Sequence, residues 1–309
     1  TSAEYAQMTG RAGRRGLDDE GHAIVCFASD LSLHDVARVA LAPPADLHSS
    51  FRPTYNFTAN LIDHFDFETA LDVVRRSFAQ VENDRRPAGR RRPLTDQMVA
   101  RFHVLEELGY AEGWHLTAQG QLLRSIYHEC DLLIAESISA GVFEGLDAAS
   151  LAGLLSCFVY ESKRSTRAVN AAKQVSTKKK KVHHDRLGQE RRASISERLS
   201  EINVIAATVR EVEERYQVPH FKEPDGHFAT VIAAWARGAS LSTVLDLADA
   251  EIGQTSPGDF VRNAKQVADL CEQLARMRHL TDVADTALEA RDAVLRSVVA
   301  GASTVHPRA

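Results

Sequence analysis

From about residue 55 onward, apolar residues recur every three or four positions, the spacing that places side chains on one face of a helix. The first two sets are Phe57, Leu61, Ile62 and Phe65, then Leu71, Val74 and Phe78. Similar sets lie in CDLLIAESISAGVF, DAASLAGLLSCFVY and SISERLSEINVIAATVREVEERY, and more follow up to Val299. The pattern predicts a mainly helical chain, with a helical bundle from about Asp131.

Two segments break this pattern. HAIVCFA, residues 22–28, is apolar and rich in strand formers, and Asp30 then caps a predicted helix to about Ala42, which makes one α/β unit. Further on, a predicted helix from about Leu94 to Leu108 precedes GYAEGWHLTAQG, whose glycines bracket two short predicted strands. Helix, hairpin and helix in this order are typical of a winged helix.

Composition excludes several classes of protein. The 309 residues, 44% hydrophobic and 26% charged, are typical of a soluble globular protein. The four cysteines are widely spaced and form no C-x-x-C pair, which argues against a zinc site or a disulfide framework and favours a reducing, cytoplasmic setting. No apolar run approaches the roughly 18 residues of a membrane span, so we expect no membrane partner.

Positive charge is local in this sequence. The chain has 37 lysines and arginines against 42 acidic residues, a net charge of -5, so any nucleic-acid contact has to come from basic patches. One patch is the linker NDRRPAGRRRP at 83–93, and another is the segment 162–192, with eleven basic and two acidic residues. Each is either a solvated, exposed segment or an arm that contacts phosphates.

The string QMTGRAGRRGLDDEG, residues 7–21, places three arginines among glycines next to an acidic run. Guanidinium groups are always charged and fork-shaped, so two of them three residues apart can converge on the oxygens of a polyphosphate. Gly10, Gly13 and Gly16 allow the backbone to turn around them. A flexible basic loop is the alternative, but the fuller pattern Q-x-x-G-R-x-x-R, followed by an apolar run, favours a phosphate site.

That pattern, at Gln7, Gly10, Arg11 and Arg14, closely resembles motif VI of superfamily-two helicases. The longer string is similar to that of the superkiller-like DExH-box RNA helicases, and most of all to the HelY type of actinobacteria. FRPTYNFTANLI with RRSFAQ resembles the start of that family's winged-helix region. LLIAESISAGVFEGLDAASLAGLLSCFVYESK and GDFVRNAKQVADLCEQLAR resemble its C-terminal helical domain, of the DSHCT type.

The resemblance implies a mainly α fold with three domains. Residues 1–45 are expected to be the C-terminal remnant of a second RecA-like α/β domain. Residues 46–130 are expected to form a winged-helix region with a short basic linker at 82–93, and residues 131–309 the C-terminal helical bundle. Because the motif VI string begins only a few residues into the chain, we expect the rest of two RecA-like domains upstream in a longer protein.

The resemblance also assigns roles to single residues. Arg14 is expected to be the arginine finger and Arg11 to lie beside the γ-phosphate, while Gln7 and Gly10 shape the nucleotide-binding loop. The full-length protein would thus bind ATP and Mg²⁺. This chain alone is expected to hold neither, because it has no G-x-x-x-x-G-K-[ST] loop for the phosphates and the metal.

Two other groups imitate metal sites. Residues 19–22 spell D-E-G-H, but they follow a polar loop and precede the predicted strand instead of ending one, so we expect no metal there. His183, His184 and Asp185 lie beside a run of lysines, where we identify no third, rigid ligand.

A second candidate site follows from Ser256. The segment has three signals that start a helix: Ser256 is an N-cap, Pro257 occupies the first helical position, and the acid Asp259 follows two residues later. Its polar stripe consists of Arg262, Gln266, Asp269 and Gln273. Such a stripe is usually a solvated face, but the segment resembles the family's ratchet helix, which lines the strand channel, so these four residues are expected to contact nucleic acid.

The leading hypothesis is the C-terminal part of an ATP-dependent RNA helicase that pulls single-stranded or partly duplex RNA, or DNA, past a helical gate. Its further partners would be the missing RecA-like domains of the same protein, and without them the chain is expected to hydrolyse no ATP. The alternatives are a stand-alone winged-helix nucleic-acid-binding module and a fragment of a DNA repair helicase.

Overall fold

The computed structural model describes all residues except 14–15, 17, 27, 30–31, 44–47, 88, 90, 162–185, 221, 254, 278–282 and 302–309, and of residues 186–194 only the helical backbone. The chain divides into two compact units, Thr1–Phe51 and Arg52–Ala309. The described residues are mostly in α-helices, and one isolated bridge is their only β pairing. The mainly helical class predicted from the sequence is confirmed.

The first unit contains two helices, α1 (Ser2–Thr9) and α2 (Leu33–Ala40). The helix predicted to reach Ala42 is α2, which ends two residues earlier. The strand predicted at 22–28 is wrong over its described part, because residues 22–26 have an irregular backbone and Ile24 is 87% exposed. A strand needs a neighbour for its backbone hydrogen bonds, and the described part of this unit offers none.

The second unit is built of helices. They are α3 (Tyr55–His64), α4 (Phe67–Arg75), α5 (Phe78–Asp84), α6 (Leu94–Glu107), α7 (Ala118–Leu123), α8 (Asp131–Ser139), α9 (Ala148–Val159), α10 (Arg186–Arg215), α11 (Ala229–Ala236), α12 (Leu241–Glu251), α13 (Pro257–Ala275), α14 (Ala284–Val294) and α15 (Ser297–Gly301). A short 3₁₀ turn, Gly226–Phe228, precedes α11. Many of these helices begin at a Ser, Thr or Asp whose side chain accepts a hydrogen bond from the first turn, so local sequence sets their starts.

The hairpin predicted between α6 and α7 is reduced to one antiparallel bridge, between Ala111 and Leu116. Backbone hydrogen bonds flank the bridge, from Glu112 N–H to the His115 carbonyl at 2.9 Å and from Thr117 N–H to the Tyr110 carbonyl at 3.1 Å. Trp114 lies in the turn that they close. Its ring centroid lies 5.0 Å from that of Phe102, and its Nε1 donates to the Phe65 carbonyl at 2.7 Å. The predicted turn is present, but the two predicted strands are wrong as strands, because pairing extends over one bridge and its two flanking hydrogen bonds.

The basic linker predicted at 82–93 is shorter than expected, because residues 82–84 are the end of α5. Its described part is also fixed to the body of the unit. Asn83 Oδ1 accepts a hydrogen bond from the Arg92 backbone at 3.2 Å, and the Arg92 guanidinium donates to the Gln217 carbonyl beyond α10. The linker is thus held by contacts at its C-terminal end.

The core of the second unit is centred on α9, which packs against α11, α13 and α14. Gly153 permits the close approach of α9 and α11, since a Cβ there would lie 2.6 Å from the Ala229 carbonyl oxygen. Trp235 of α11 packs edge-on against Phe260 of α13, with 5.2 Å between ring centroids. These contacts hold α13 rigidly against the bundle.

A buried polar cluster connects α3 with α8 and α10. The Tyr55 hydroxyl donates to Glu213 Oε1 at 2.8 Å, and His220 Nδ1 lies 3.0 Å from the other oxygen of that carboxylate. Asp131 Oδ2 accepts from the Asn56 backbone at 2.6 Å. The cluster joins the first helix of the predicted winged-helix region to two helices of the predicted bundle.

Candidate nucleic-acid interface

The start of α13 forms as its sequence predicts. Ser256 Oγ accepts from the Asp259 backbone at 3.0 Å and donates to Asp259 Oδ2 at 2.9 Å, and Pro257 is the first helical residue. An oxygen cap, a proline and an acid near the N-terminus all favour a helix that begins at this residue. The first turn of α13 therefore has a defined geometry.

The inner face of α13 fixes the rotation of the helix about its axis. Its buried residues are Phe260, Ala264, Val267, Ala268, Leu270, Cys271, Leu274 and Ala275. Burial raises the pKa of the Cys271 thiol to about 12, so this cysteine is an inert part of the core. With this face buried, the opposite face must point to solvent.

The predicted polar stripe lies on the outer face. Arg262, Gln266 and Asp269 are exposed, and Gln273 is half-buried. A rise of 1.5 Å per residue places Arg262 and Gln273 about 16 Å apart along the axis. The four side chains thus form a row long enough to follow several nucleotides of a single strand.

The charge of this row is not strongly positive. Arg262 Nη2 donates to Asp259 Oδ1 at 2.6 Å, and the Arg262 side chain is still 65% exposed. Asp269 adds a negative charge two turns further along. Because phosphate binding depends on cations, the row by itself offers one phosphate contact, and its other members suit hydrogen bonds to sugars or bases.

One residue beside the row, Tyr127, is not predicted by the sequence pattern. The backbone N–H of Tyr127 donates to Gln273 Oε1 at 2.8 Å, which joins the loop between α7 and α8 to the end of the row. The Tyr127 side chain is 69% exposed. One aromatic in the string SIYHE carries no periodic signal, and only the tertiary contact places it next to α13.

The second candidate site lies in the first unit. Gln7 is in the last turn of α1, Gly10 follows that helix, and Arg11 is in the next turn; all three are exposed. Arg14 lies outside the described residues, so its predicted position as the arginine finger is untested. The structure thus places three of the four predicted nucleotide-binding residues at consecutive turns of one segment.

Two glycines in this segment are required by its geometry. A Cβ on Gly10 would lie 2.7 Å from the Ala6 carbonyl oxygen. Gly13 has a φ of 76°, and an added Cβ would lie 3.2 Å from the Cα of Gly21. The loop therefore folds back closely on the residues before the irregular segment 22–26, in a form that other residue types would strain.

The structure gives no described group the geometry of a metal site. Within the described residues, no three His, Cys, Asp or Glu side chains are grouped so that they would hold a metal ion. The D-E-G-H string at 19–22 lies in irregular, exposed backbone, and His183, His184 and Asp185 lie outside the described residues. Across the described helices, none is both long and apolar enough to span a membrane.

Comparisons with known proteins place these features in a family. The DSHCT (NUC185) domain matches residues 113–302, which include all of α13. Probable helicase HelY of Mycobacterium leprae is 36% identical over 198 residues, 62% of this chain and 20% of that protein. Superkiller complex protein 2 of Mus musculus is 36% identical over 105 residues, 34% of this chain and 8% of that protein. Antiviral helicase SKI2 of Saccharomyces cerevisiae is 48% identical over 81 residues, 26% of this chain and 6% of that protein.

The chain thus spans about a fifth of the HelY protein and less of the superkiller proteins it matches. The resemblance to HelY-type and superkiller-like helicases, inferred from the sequence strings, is confirmed. Because the domain match covers more than half of the chain, the chain belongs to the DSHCT (NUC185) domain family.

Proposed function

We propose that this chain is the C-terminal part of an ATP-dependent helicase, and that it guides single-stranded RNA along the outer face of α13. The observation that carries the proposal is a row of polar side chains on a helix whose other face is fixed in the core. Three of them are exposed and the fourth, Gln273, is half-buried. A rigid helix with a polar outer face keeps its donors and acceptors at constant spacing, which suits a strand that moves past it.

Arg262 supplies the one cation of this row, so its removal tests the proposal most directly. In the 309-residue chain, Arg262→Ala should weaken binding to a single-stranded RNA. The plot of the logarithm of the binding constant against the logarithm of the salt concentration should also become less steep by about 0.7, the value for one lost phosphate contact. Fluorescence anisotropy at several salt concentrations measures both quantities. The same titration with DNA of equal sequence tests the RNA preference, for which contacts to the 2′-OH are the physical basis.

Arg76→Ala is the matched control. Arg76 is an exposed arginine that follows α4 directly and pairs with an aspartate of that helix, Asp72, at 2.6 Å. It differs from Arg262 in lying away from α13. Equal losses of RNA affinity in the two variants would show that Arg262 contributes only general positive charge. An Arg262→Ala chain with unchanged affinity and unchanged salt dependence would disprove strand guidance by this row.

An apolar surface in the first unit supports the proposal that residues 1–45 come from a RecA-like domain. An apolar cleft of about 890 Å³ lies between α1, α2 and the irregular segment, and its lining includes Tyr5, Met8, Ile24, Val25 and Val39. Ile24 and Val25 of the irregular segment are 87% and 47% exposed. Adjacent apolar β-branched residues are typical of a strand that is buried on both faces of a parallel sheet. We propose that the missing part of the longer protein supplies the neighbouring strands, and that α6, the bridge and α7 are the winged helix of residues 46–130.

The nucleotide role of the first unit is part of the same proposal. Bound ATP and Mg²⁺ would supply the phosphoryl group and its counter-charge in the full-length protein. The chain's own contribution is a pair of guanidinium groups, Arg11 and Arg14, that stabilise negative charge as it develops. Gln7 and Gly10 shape the loop that presents them.

This assignment has its own experiment in the full-length protein. Arg14→Ala should lower kcat for ATP hydrolysis by about 10³ while RNA binding without nucleotide stays near wild type. Arg14→Lys should restore little, because an ammonium group lacks the planar fork. Arg15→Ala is the neighbouring control, and equal damage in both variants would make the loop a general electrostatic patch.

The alternative of a stand-alone winged-helix module makes the opposite prediction. Such a module hydrolyses no ATP and needs no arginine finger, so wild type would show no ATP hydrolysis and Arg14→Ala would bind nucleic acid like wild type. The DSHCT match and the helicase names of the relatives favour the helicase proposal.

A further inference from the structure

The loop between α7 and α8 carries an aromatic ring whose placement is unusual. The side chain of Tyr127 is 69% exposed, whereas Ile126 before it is fully buried and Cys130 after it is 6% exposed. His128, the next residue, is half-buried, and its Nδ1 accepts from the Cys130 backbone at 3.0 Å. The exposed ring therefore stands on a backbone that its neighbours hold in place.

A single exposed aromatic needs no explanation by itself. The second observation is the hydrogen bond from the Tyr127 backbone to Gln273 Oε1 at 2.8 Å, across 146 residues of sequence. It connects the loop to the last residue of the polar row on α13. Among the described residues, no other aromatic ring stacks on Tyr127.

Burial of His128 strengthens this arrangement. Burial lowers the pKa of His128 to about 4, so its imidazole stays neutral at physiological pH and its Nδ1 remains an acceptor. The loop keeps one hydrogen-bonding pattern under these conditions. The ring of Tyr127 is thus presented without the loss of order that a flexible loop would suffer on binding.

We propose that Tyr127 is a stacking platform for one nucleobase, at the Gln273 end of the row on α13. An exposed, preorganised aromatic face binds any base, because every base has a π-face. The polar row contacts the sugars and phosphates while Tyr127 holds a base, so the two parts together recognise a single strand and not a duplex, whose bases are stacked on each other. This inference rests on the proposed strand path and extends it to a residue that the polar pattern does not include.

The test measures affinity of the 309-residue chain for a fluorescein-labelled, twelve-nucleotide oligoadenylate and for the same backbone with abasic sites. Tyr127→Ala should weaken binding to the oligoadenylate by about five- to a hundredfold, the range for a lost stacked base, and Tyr127→Phe should stay within about twofold of wild type. Tyr127→Leu, which keeps bulk but has no π-face, should resemble the alanine variant. On the abasic strand, all of these variants should bind like wild type.

Salt dependence and a control variant separate stacking from other effects. Tyr127→Ala should leave the slope of log K against log salt unchanged, since it removes no cation. Phe78→Ala, at another exposed aromatic (54%) on α5, should bind like wild type. A Tyr127→Ala chain with wild-type affinity, or with an equal loss on the abasic strand, would overturn the stacking role while strand guidance by α13 stands. A wild-type chain that binds neither strand would overturn both.

Discussion

Asp131→Asn should change how the stability of the protein depends on pH. Asp131 is the first residue of α8 and is 1% exposed. Its Oδ2 accepts from the Asn56 backbone at 2.6 Å, and its Oδ1 accepts from the Leu132 backbone at 2.8 Å. Burial nevertheless dominates and raises the pKa of this carboxyl from 3.8 to about 7.

Because of the raised pKa, the Asp131 carboxyl keeps its proton in the folded state at pH values where the unfolded chain has already released it. Between the unfolded and folded pKa values, the folded chain binds more protons, so the free energy of unfolding falls as pH rises. One pKa unit corresponds to about 1.4 kcal/mol, so Asp131 should lower stability by about 3 kcal/mol between about pH 5 and pH 8. Asparagine has nearly the same shape and no proton to lose, so the variant lacks this term.

Asparagine also destabilises the folded state by an amount that does not depend on pH, because its NH₂ group faces one of the two backbone N–H donors. Loss of that hydrogen bond costs about 1–3 kcal/mol at every pH. The variant should therefore be less stable than wild type near pH 5, and the difference should shrink or reverse near pH 8. Urea unfolding followed by circular dichroism, at several pH values, gives both free energies.

Asp292→Asn is the matched control, since the Asp292 side chain is 65% exposed. Substitution at this exposed site should change the free energy of unfolding by no more than about 0.5 kcal/mol at the pH values tested. The titration of His128 occurs equally in wild type and in Asp131→Asn, so it cancels in the comparison. A difference between wild type and Asp131→Asn that stayed constant from acid to alkaline pH would show that the two backbone donors, and not burial, control this carboxyl.

Three further predictions concern the bundle. Ser256→Ala removes the cap of α13 and should lower the free energy of unfolding by about 1 kcal/mol in urea titrations; an unchanged midpoint would contradict this. Gly153→Ala places a Cβ 2.6 Å from the Ala229 carbonyl oxygen and should lower stability by about 1–3 kcal/mol, whereas a stabilised variant would show that α9 and α11 can separate freely. In native protein, iodoacetamide should label the exposed Cys26 and spare Cys271, whose pKa is raised to about 12; mass spectrometry of peptides decides, and equal labelling would refute the buried placement.

Local sequence accounts for most of the helices and for the first turn of α13. Cap residues act on backbone groups two or three positions away, and a helical period is repeated within one segment, so both signals are local. Ser256 and Asp259 therefore predicted the start of α13, and the apolar period predicted that Arg262 and Gln266 would be exposed. The motif VI string likewise predicted a nucleotide role, and the position of Arg14 stays a prediction.

Pairings between distant segments depend on tertiary packing, which local sequence does not encode. The strand predicted at 22–28 is irregular over its described part, because strand formation depends on a neighbour and not on propensity alone. The predicted hairpin between α6 and α7 is reduced to one bridge, and Trp114 in its turn packs on Phe102 of α6. Gln273 meets Tyr127 across 146 residues, a contact that no local pattern encodes, since side chains far apart in sequence are brought together by the packing of whole helices.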